Sequence, residues 1–278
     1  MDVVFYSVSF QDDHCTVHHR SIRTIMNIKD KNILITGAAR GLGLAMANSL
    51  AERGANIGLI DLDTPELHKA AELCRSKGVN AIALPANVAE EAQVEAAVQK
   101  ASAELGPLNG LVNNAGILRD GLLIKAKDGK VTDKLSFDKW QAVINVNLTG
   151  VFLCGREVAA SMIESGSQGV IVNIASIARE GNFGQSNYSA AKAGVSAMTV
   201  TWSKELAKYG IRCAAIAPGV IETEMTGSMK PEAKARLTAG IPVGRMGTPE
   251  EIAQTVGFIF ENDYYNGRVL ELDGGLKL

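Results

Sequence analysis

Asn32-Ile33-Leu34-Ile35-Thr36-Gly37-Ala38-Ala39-Arg40-Gly41-Leu42-Gly43 is the stretch whose reading decides the fold. It opens as a short apolar run, passes through a glycine-rich turn and continues with helical period from Leu42 to Arg53. The spacing is T-G-x-x-x-G-x-G. Glycines let the backbone turn sharply and let an anion approach the helix N-terminus, where unpaired N–H groups and the helix dipole favour negative charge. A tight structural turn needs the same glycines. The place of this turn, after a strand and before a helix, is what points to the pyrophosphate of a dinucleotide, with Gly37, Arg40, Gly41, Leu42 and Gly43 around it.

Working outward, short apolar runs alternate with longer helical segments, the signature of a parallel sheet wrapped by helices. The runs are Ile33-Thr36, Ile57-Asp61, Ala81-Leu84, Gly110-Asn113, Val170-Ile174, Cys213-Ala217 and Arg268-Leu272. They predict a single-domain, doubly wound (Rossmann) α/β fold with a seven-stranded parallel sheet over residues 26–278. Leu42-Arg53, Pro65-Lys77, Glu90-Glu104, Phe137-Glu164, Tyr188-Tyr209 and Pro249-Glu261 read as its helices. Gly54, Gly78, Gly106 and Gly210 follow four of them as left-handed caps, and Thr64-Pro65 and Thr248-Pro249 are start signals. Two segments interrupt the rhythm: Arg119-Ser136, a lysine-rich, hairpin-like excursion with Asp128-Gly129, and Glu222-Gly247, a helical flap with Met225 and Met229. Both leave the carboxyl ends of strands, where ligands bind in such sheets.

Composition narrows the class. The chain has 278 residues, 46% hydrophobic and 21% charged, with net charge -2, so nothing in it favours phosphates along a nucleic acid. No apolar run reaches the ~20 residues that span a bilayer, and no membrane partner is expected. Cys15, Cys74, Cys154 and Cys213 are far apart and form no C-x-x-C pair, which reads as reduced thiols in a cytoplasmic protein with no metal site. Residues 1–25 lack the features of a signal peptide. They are expected to be a disordered or artificially appended extension, with Met26 as a natural start. A metal site of His14, Cys15, His18 and His19 is the weaker alternative.

Asp61 ends the second strand, 18 residues beyond Gly43, where it is expected to face the adenosine ribose. A carboxylate there accepts hydrogen bonds from both ribose hydroxyls and repels a 2′-phosphate, which argues for NAD. Arg40 pulls toward NADP, because a cation in the glycine loop can pair with that phosphate; the carboxylate carries more weight.

Tyr188-Ser189-Ala190-Ala191-Lys192 puts a phenol and an ammonium on one helix face, at i and i+4. A free phenol, with a pKa of about 10, is a poor base near neutrality; a neighbouring ammonium stabilises the phenolate. Ser176, 12 residues earlier, ends the fifth strand, where its hydroxyl can polarise a substrate carbonyl. Each of these features alone is more often structural, and it is the combination that points to proton transfer.

Taken in order, Thr36-Gly37, Gly41-Leu42-Gly43, Asn113-Asn114-Ala115-Gly116, Asn147, Ser176, Tyr188, Lys192 and Pro218-Gly219 resemble the short-chain dehydrogenase/reductases, over about Asn27 to Leu278. The resemblance implies Tyr188 as general acid/base, Lys192 lowering its pKa and binding the nicotinamide ribose, and Ser176 orienting the substrate oxygen. It implies that Asn147, rather than the nearby Asn145, holds a water linking Lys192 to solvent. It also assigns Asn87, Val88, Asn114, Ala115 and Gly116 to the adenosine side of the cofactor, and Pro218, Gly219, Ile221 and Thr223 to the carboxamide end.

Within the family the chain looks like the 3-oxoacyl-(acyl-carrier-protein) reductase branch, through Asn113 to Asp120 and the ending Leu272-Asp273-Gly274-Gly275. Asp61 departs from that branch, whose members prefer NADPH. The Arg119-Ser136 excursion is longer, and the Ser176 to Tyr188 interval is about one residue shorter. Lys230, Lys234 and Arg245 are the cations that could meet an acidic carrier protein. The expected function is thus an NAD(P)-dependent oxidoreductase of a secondary alcohol or ketone, first a 3-oxoacyl or 3-hydroxyacyl thioester. NAD(H) is favoured and NADP(H) possible. The alternatives are another small alcohol, sugar or steroid-like substrate, a lyase or epimerase, or a catalytically silent cofactor-binding partner. The resemblance further implies a homotetramer built through the long helices Phe137-Glu164 and Tyr188-Tyr209.

Overall fold

In the computed structural model, residues 26–223 and 231–277 are described. The N-terminal cysteine and histidines, and Met225, Met229 and Lys230 of the flap, lie outside them. Strand β1 (Asn32–Thr36) is buried along its whole length, which explains a run with no polar alternation. Parallel partners cover both of its edges: β2 (Asn56–Asp61) on one side and β4 (Leu108–Asn113) on the other. With β3 (Ala81–Pro85), β7 (Gly169–Ile174), β8 (Ile211–Pro218) and β9 (Val269–Leu272) the order is β3-β2-β1-β4-β7-β8-β9. The chain therefore grows one way from β1 through β3 and the other way from β4. The reversal lies between β1 and β4, and the crevice at their carboxyl ends is where such sheets bind ligands.

Successive residues of β1 serve opposite layers. Ile33 and Ile35 join the core under α1 (Gly41–Glu52), α2 (Pro65–Arg75) and α8 (Pro249–Glu261), with Leu59, Ile252 and Phe260. Leu34 faces the core under α3 (Glu91–Leu105) and α5 (Gly150–Glu164), with Leu111, Leu153 and Ile171. The start signals are used as expected: the Thr64 hydroxyl accepts from Leu67 N–H, and Thr248 forms a reciprocal capping box with Glu251. The glycines expected as caps all have positive φ.

Three expectations change. The segment Phe137-Glu164 is not one regular helix: α4 (Phe137–Ile144) passes through a π turn (Asn145–Thr149) into α5, with Gly150 N–H bonded to the Asn145 carbonyl. Taken whole, these 28 residues are long and apolar enough to cross a membrane, contrary to the expectation that no segment is. Half of the apolar stretch is buried inside the domain, where α5 packs on α3 and β4 as a core helix does. The helix expected from Tyr188 starts earlier: α6 is Ser186–Glu205, followed by a short 3₁₀ turn, Ala207–Tyr209.

The excursion is an antiparallel ribbon of β5 (Ile124–Lys127) and β6 (Lys130–Lys134), exposed throughout. Asp128 and Gly129 at its tip have φ of 50° and 73°, the two positive values that a two-residue hairpin turn demands. The described part of the flap contains α7 (Pro231–Ala239).

Candidate active site

The glycine turn joins β1 to α1 at the switch point. Arg40, exposed and extended, precedes α1 without a side-chain cap, and the first turn carries no acidic residue, so its N–H groups remain available to an anion. Gly41 has φ +56°, and a Cβ there would meet nothing within 4 Å, which leaves that face of the turn open. At Gly43 a Cβ would fall 2.0 Å from the Gly37 carbonyl oxygen, so this glycine is what lets the turn close on itself. An uncapped helix start beneath an open glycine fits a dinucleotide pyrophosphate. Half-buried Leu42 lies between the two glycines.

Asp61 ends β2 beside this turn. Its Oδ2 accepts from Ala39 N–H at 3.0 Å and its Oδ1 from Leu62 N–H at 2.8 Å, which fixes a negative charge against the glycine loop. Half-buried Asn87 follows β3, its Oδ1 accepting from Ala89 N–H, while Val88 is buried against Gly150. The Thr36 hydroxyl accepts from both Asn114 and Ala115 N–H at 3.0 Å, and Asn114 Nδ2 donates to the Thr36 and Gly37 carbonyls. The end of β4, with exposed Gly116 beyond it, is thereby tied to the glycine turn. Across the crevice Pro218 ends β8, Gly219 N–H donates to Leu272 O, and buried Ile221 bridges to Gly247 ahead of half-buried Thr223. The residues expected to hold a cofactor thus follow the carboxyl ends of β1, β2, β3, β4 and β8, on one edge of the sheet.

At the far end of that crevice stand Ser176, Tyr188 and Lys192. Ser176 lies just past β7 and its Oγ accepts from Ala178 N–H at 3.1 Å. Burial raises the Tyr188 phenol above its ordinary range; a hydrogen bond with the Ser176 hydroxyl pulls it down and the Asp120 carboxylate adds to the rise. Lys192 is 3% exposed, its Nζ 5.7 Å from the centre of the Tyr188 ring and donating to the Ile174 carbonyl at 2.6 Å. Burial pushes this ammonium down to about 8. At neutral pH the phenol carries its proton and the lysine its charge.

Asn147 sits in the π turn, fully buried. Its Oδ1 accepts from Ile117 N–H at 2.8 Å and its Nδ2 donates to Ile117 O at 3.0 Å. Its competitor Asn145 instead accepts from Gln141 Nε2. Sequence reasoning missed two further sets of residues. Asn113, Asn173 and Thr199 form a buried chain of 2.9 Å hydrogen bonds from β4 through β7 to α6. Polar residues inside otherwise apolar strand runs were the signal for it. Asn187, directly before Tyr188, is fully buried and bonded on three sides.

The described cysteines take no part. Burial raises Cys74 to about 11 and both Cys154 and Cys213 to about 12, so none is a thiolate near neutrality. Among the described residues, no three His, Cys, Asp or Glu side chains gather as a metal site would require. Of the flap cations, Lys234 pairs with Glu222 at 3.3 Å and Arg245 with Glu251 at 2.6 Å.

Comparison with known proteins shows the family and the fold. The short chain dehydrogenase family profile matches residues 31–234. A 3-oxoacyl-(acyl-carrier-protein) reductase of Thermotoga maritima is 41% identical over 256 residues, covering 91% of this chain and all of that protein. The Escherichia coli K12 protein of the same name is 38% identical over the same coverage. Among solved structures, one assigned to a gluconate dehydrogenase of Agrobacterium tumefaciens superposes with a TM-score of 0.83 at 34% identity, covering 91% of this chain and 98% of that one. The chain therefore belongs to the short-chain dehydrogenase family and is an NAD(P)-dependent oxidoreductase of the 3-oxoacyl reductase-like branch.

Proposed function

We propose that the chain reduces the 3-oxo group of an acyl thioester to a 3-hydroxy group, with NADH preferred to NADPH. The observation that carries this reading is the placement of the half-buried Tyr188 phenol, the Ser176 hydroxyl and the buried Lys192 ammonium together at the carboxyl end of β7. When bound, the nicotinamide cofactor supplies the hydride to the carbonyl carbon. Tyr188 gives its proton to the carbonyl oxygen, and Ser176 donates a hydrogen bond to that oxygen as negative charge develops. Lys192 offsets the charge left on the phenol and, with two N–H donors beyond the one spent on Ile174, holds the nicotinamide ribose. Asn147 holds the Ile117 peptide, and the phenolate left on Tyr188 regains its proton from solvent by way of Lys192 and a water that would meet the rest of the Asn147 amide or its backbone.

Gly37, Gly41, Leu42 and Gly43 take the pyrophosphate, with Asn87, Val88, Asn114, Ala115 and Gly116 around the adenosine. Pro218, Gly219, Ile221 and Thr223 take the carboxamide. The fixed Asp61 carboxylate supports NADH, because a 2′-phosphate would meet its charge. Arg40 is exposed, with no equivalent anchor to the loop. We also place the enzyme in the cytoplasm as a homotetramer. Exposed Phe152 and Ile163 on α5 and Val200 on α6 support packing of these helices against other subunits.

The test is steady-state reduction of acetoacetyl-CoA, with NADH and NADPH in parallel. Turnover with NADH preferred is expected; turnover with NADPH alone overturns the cofactor assignment, and no turnover with either overturns the substrate assignment. One observation favours a second reading, oxidation of a sugar acid: the overlay on the structure assigned to a gluconate dehydrogenase. Gluconate with NAD or NADP, assayed alongside, decides between them.

A further inference from the structure

Asn187 is the second residue of α6 and is completely buried. Its Nδ2 donates to the carbonyl oxygens of Arg119 at 3.0 Å and Lys139 at 3.2 Å, and its Oδ1 accepts from the backbone N–H of Tyr188 at 2.8 Å. The first N–H groups of a helix have no partner within it. Here one of them, belonging to Tyr188, is satisfied by the residue just before.

The two acceptor carbonyls come from separate walls of the site. Arg119 stands where the chain enters the β5–β6 ribbon, and Lys139 lies in the first turn of α4, which leads to the π turn bearing Asn147. The segment before α6 is held mostly by bonds within itself, Asn182 bonding Phe183 and Gln185. Gly181 and Gly184 have φ of 113° and 77°, and Phe183 between them is 87% exposed. Its remaining ties to the ribbon entry are Gly121 N–H to Gly184 O at 2.9 Å, between half-buried glycines, and Gln185 Nε2 to the exposed Asp120 Oδ2 at 3.0 Å. Lys192, one turn further along, is anchored independently to Ile174.

We propose that Asn187 is the positioning residue for the Tyr188 phenol: it sets where the hydroxyl stands relative to Ser176, while Lys192 and the cofactor crevice are held by other contacts. The side chain must be an amide because both groups it serves besides Tyr188 are carbonyl oxygens, which need donors. The inference rests on Tyr188 being the proton donor.

Asn187→Asp tests it. Ionised, the carboxylate keeps its bond to Tyr188 N–H but opposes two carbonyls. Protonated, it regains one donor. The charged groups on the surrounding elements are Arg119 and Asp120 at the ribbon entry, Asp138 and Lys139 on α4, and Tyr188 and Lys192 on α6. Relative to wild type, kcat should fall about 10- to 100-fold at pH 8, as for an ~1 Å misplacement, and the deficit should shrink toward pH 5.5. KM and the NADH dissociation constant, read by cofactor fluorescence, should stay within about two-fold.

If Asn187→Asp does not fold, Asn187→Ala carries the kcat-against-KM comparison without a buried charge. Wild-type kcat in a folded variant overturns the proposal, as does a loss shared equally by kcat and cofactor affinity. Tyr188→Phe run beside it separates the two claims. An active Tyr188→Phe sinks the reading of Tyr188, whereas an inactive Tyr188→Phe with a fully active Asn187→Asp sinks only the role of Asn187.

Discussion

Lys192 and Ile174 are joined by a 2.6 Å hydrogen bond from the ammonium to the carbonyl of the last residue of β7. The bond pins α6 to the strand that leads into Ser176, so the lysine and the serine keep a fixed relation. It is also the only acceptor among the described residues that the fold gives this ammonium, and burial pushes its pKa down to about 8. A cation held at that cost gains from any ligand oxygens brought within its reach.

That cost is measurable. The folded pKa lies below the unfolded value of about 10.4, so between about pH 8 and 10 the unfolded chain binds more protons and stability from this group rises with pH. Below about pH 8 the full penalty, on the order of 3 kcal/mol, is present. Lys192→Met has no such titration. In urea unfolding without cofactor, the stability difference between the two proteins should therefore move toward wild type as the pH is raised from 7 to 10. A difference independent of pH would mean that the buried ammonium is not destabilising.

Tyr188→Phe removes the proton donor and leaves the ring in place. Its kcat should drop about 10²- to 10⁴-fold, the usual worth of a positioned acid or base, with NADH binding nearly unchanged. Ser176→Ala should also lower kcat, and because both hydroxyls act on the same substrate oxygen, the double variant should lose less than the product of the single losses. Multiplicative losses would show that the two groups act separately.

Much of this site could be read from residue order because its parts are local. The glycine turn and Asp61 sit at strand ends that apolar periodicity marks, and Tyr188 and Lys192 are four residues apart on one helix. The π turn was hidden, since one extra residue in a helical turn barely disturbs a 3.6-residue pattern over 28 residues. Asn187 was hidden for another reason: its partners Arg119 and Lys139 are 68 and 48 residues away, a pairing that no local pattern carries. Lys234 and Arg245 of the flap were legible as charges, but not their pairing with Glu222 and Glu251, 12 and six residues away.

Asp61→Ala should raise the ratio of kcat/KM with NADPH to that with NADH by about ten-fold or more, in line with removing a like charge from a phosphate site. It also frees Ala39 N–H, one more donor for the 2′-phosphate. An unchanged ratio would mean that Asp61 serves the glycine loop alone.

Gly41 and Gly43 separate cofactor binding from folding. At Gly43 a methyl group would meet the Gly37 carbonyl oxygen at 2.0 Å and Asn114 Nδ2 at 2.8 Å, so the turn and its tie to β4 must both move. Gly43→Ala should cost about 1–3 kcal/mol of stability and weaken cofactor binding with it. At Gly41 the methyl group meets nothing within 4 Å; the cost is the positive φ of 56°, about 1 kcal/mol. Its Cβ would nevertheless stand on the open face above the uncapped start of α1, where the pyrophosphate is expected. Gly41→Ala should therefore lose NADH affinity by far more than its loss of stability accounts for, as read by fluorescence titration and urea unfolding of the same preparation. Equal affinity in a stable Gly41→Ala protein would move the pyrophosphate away from this turn.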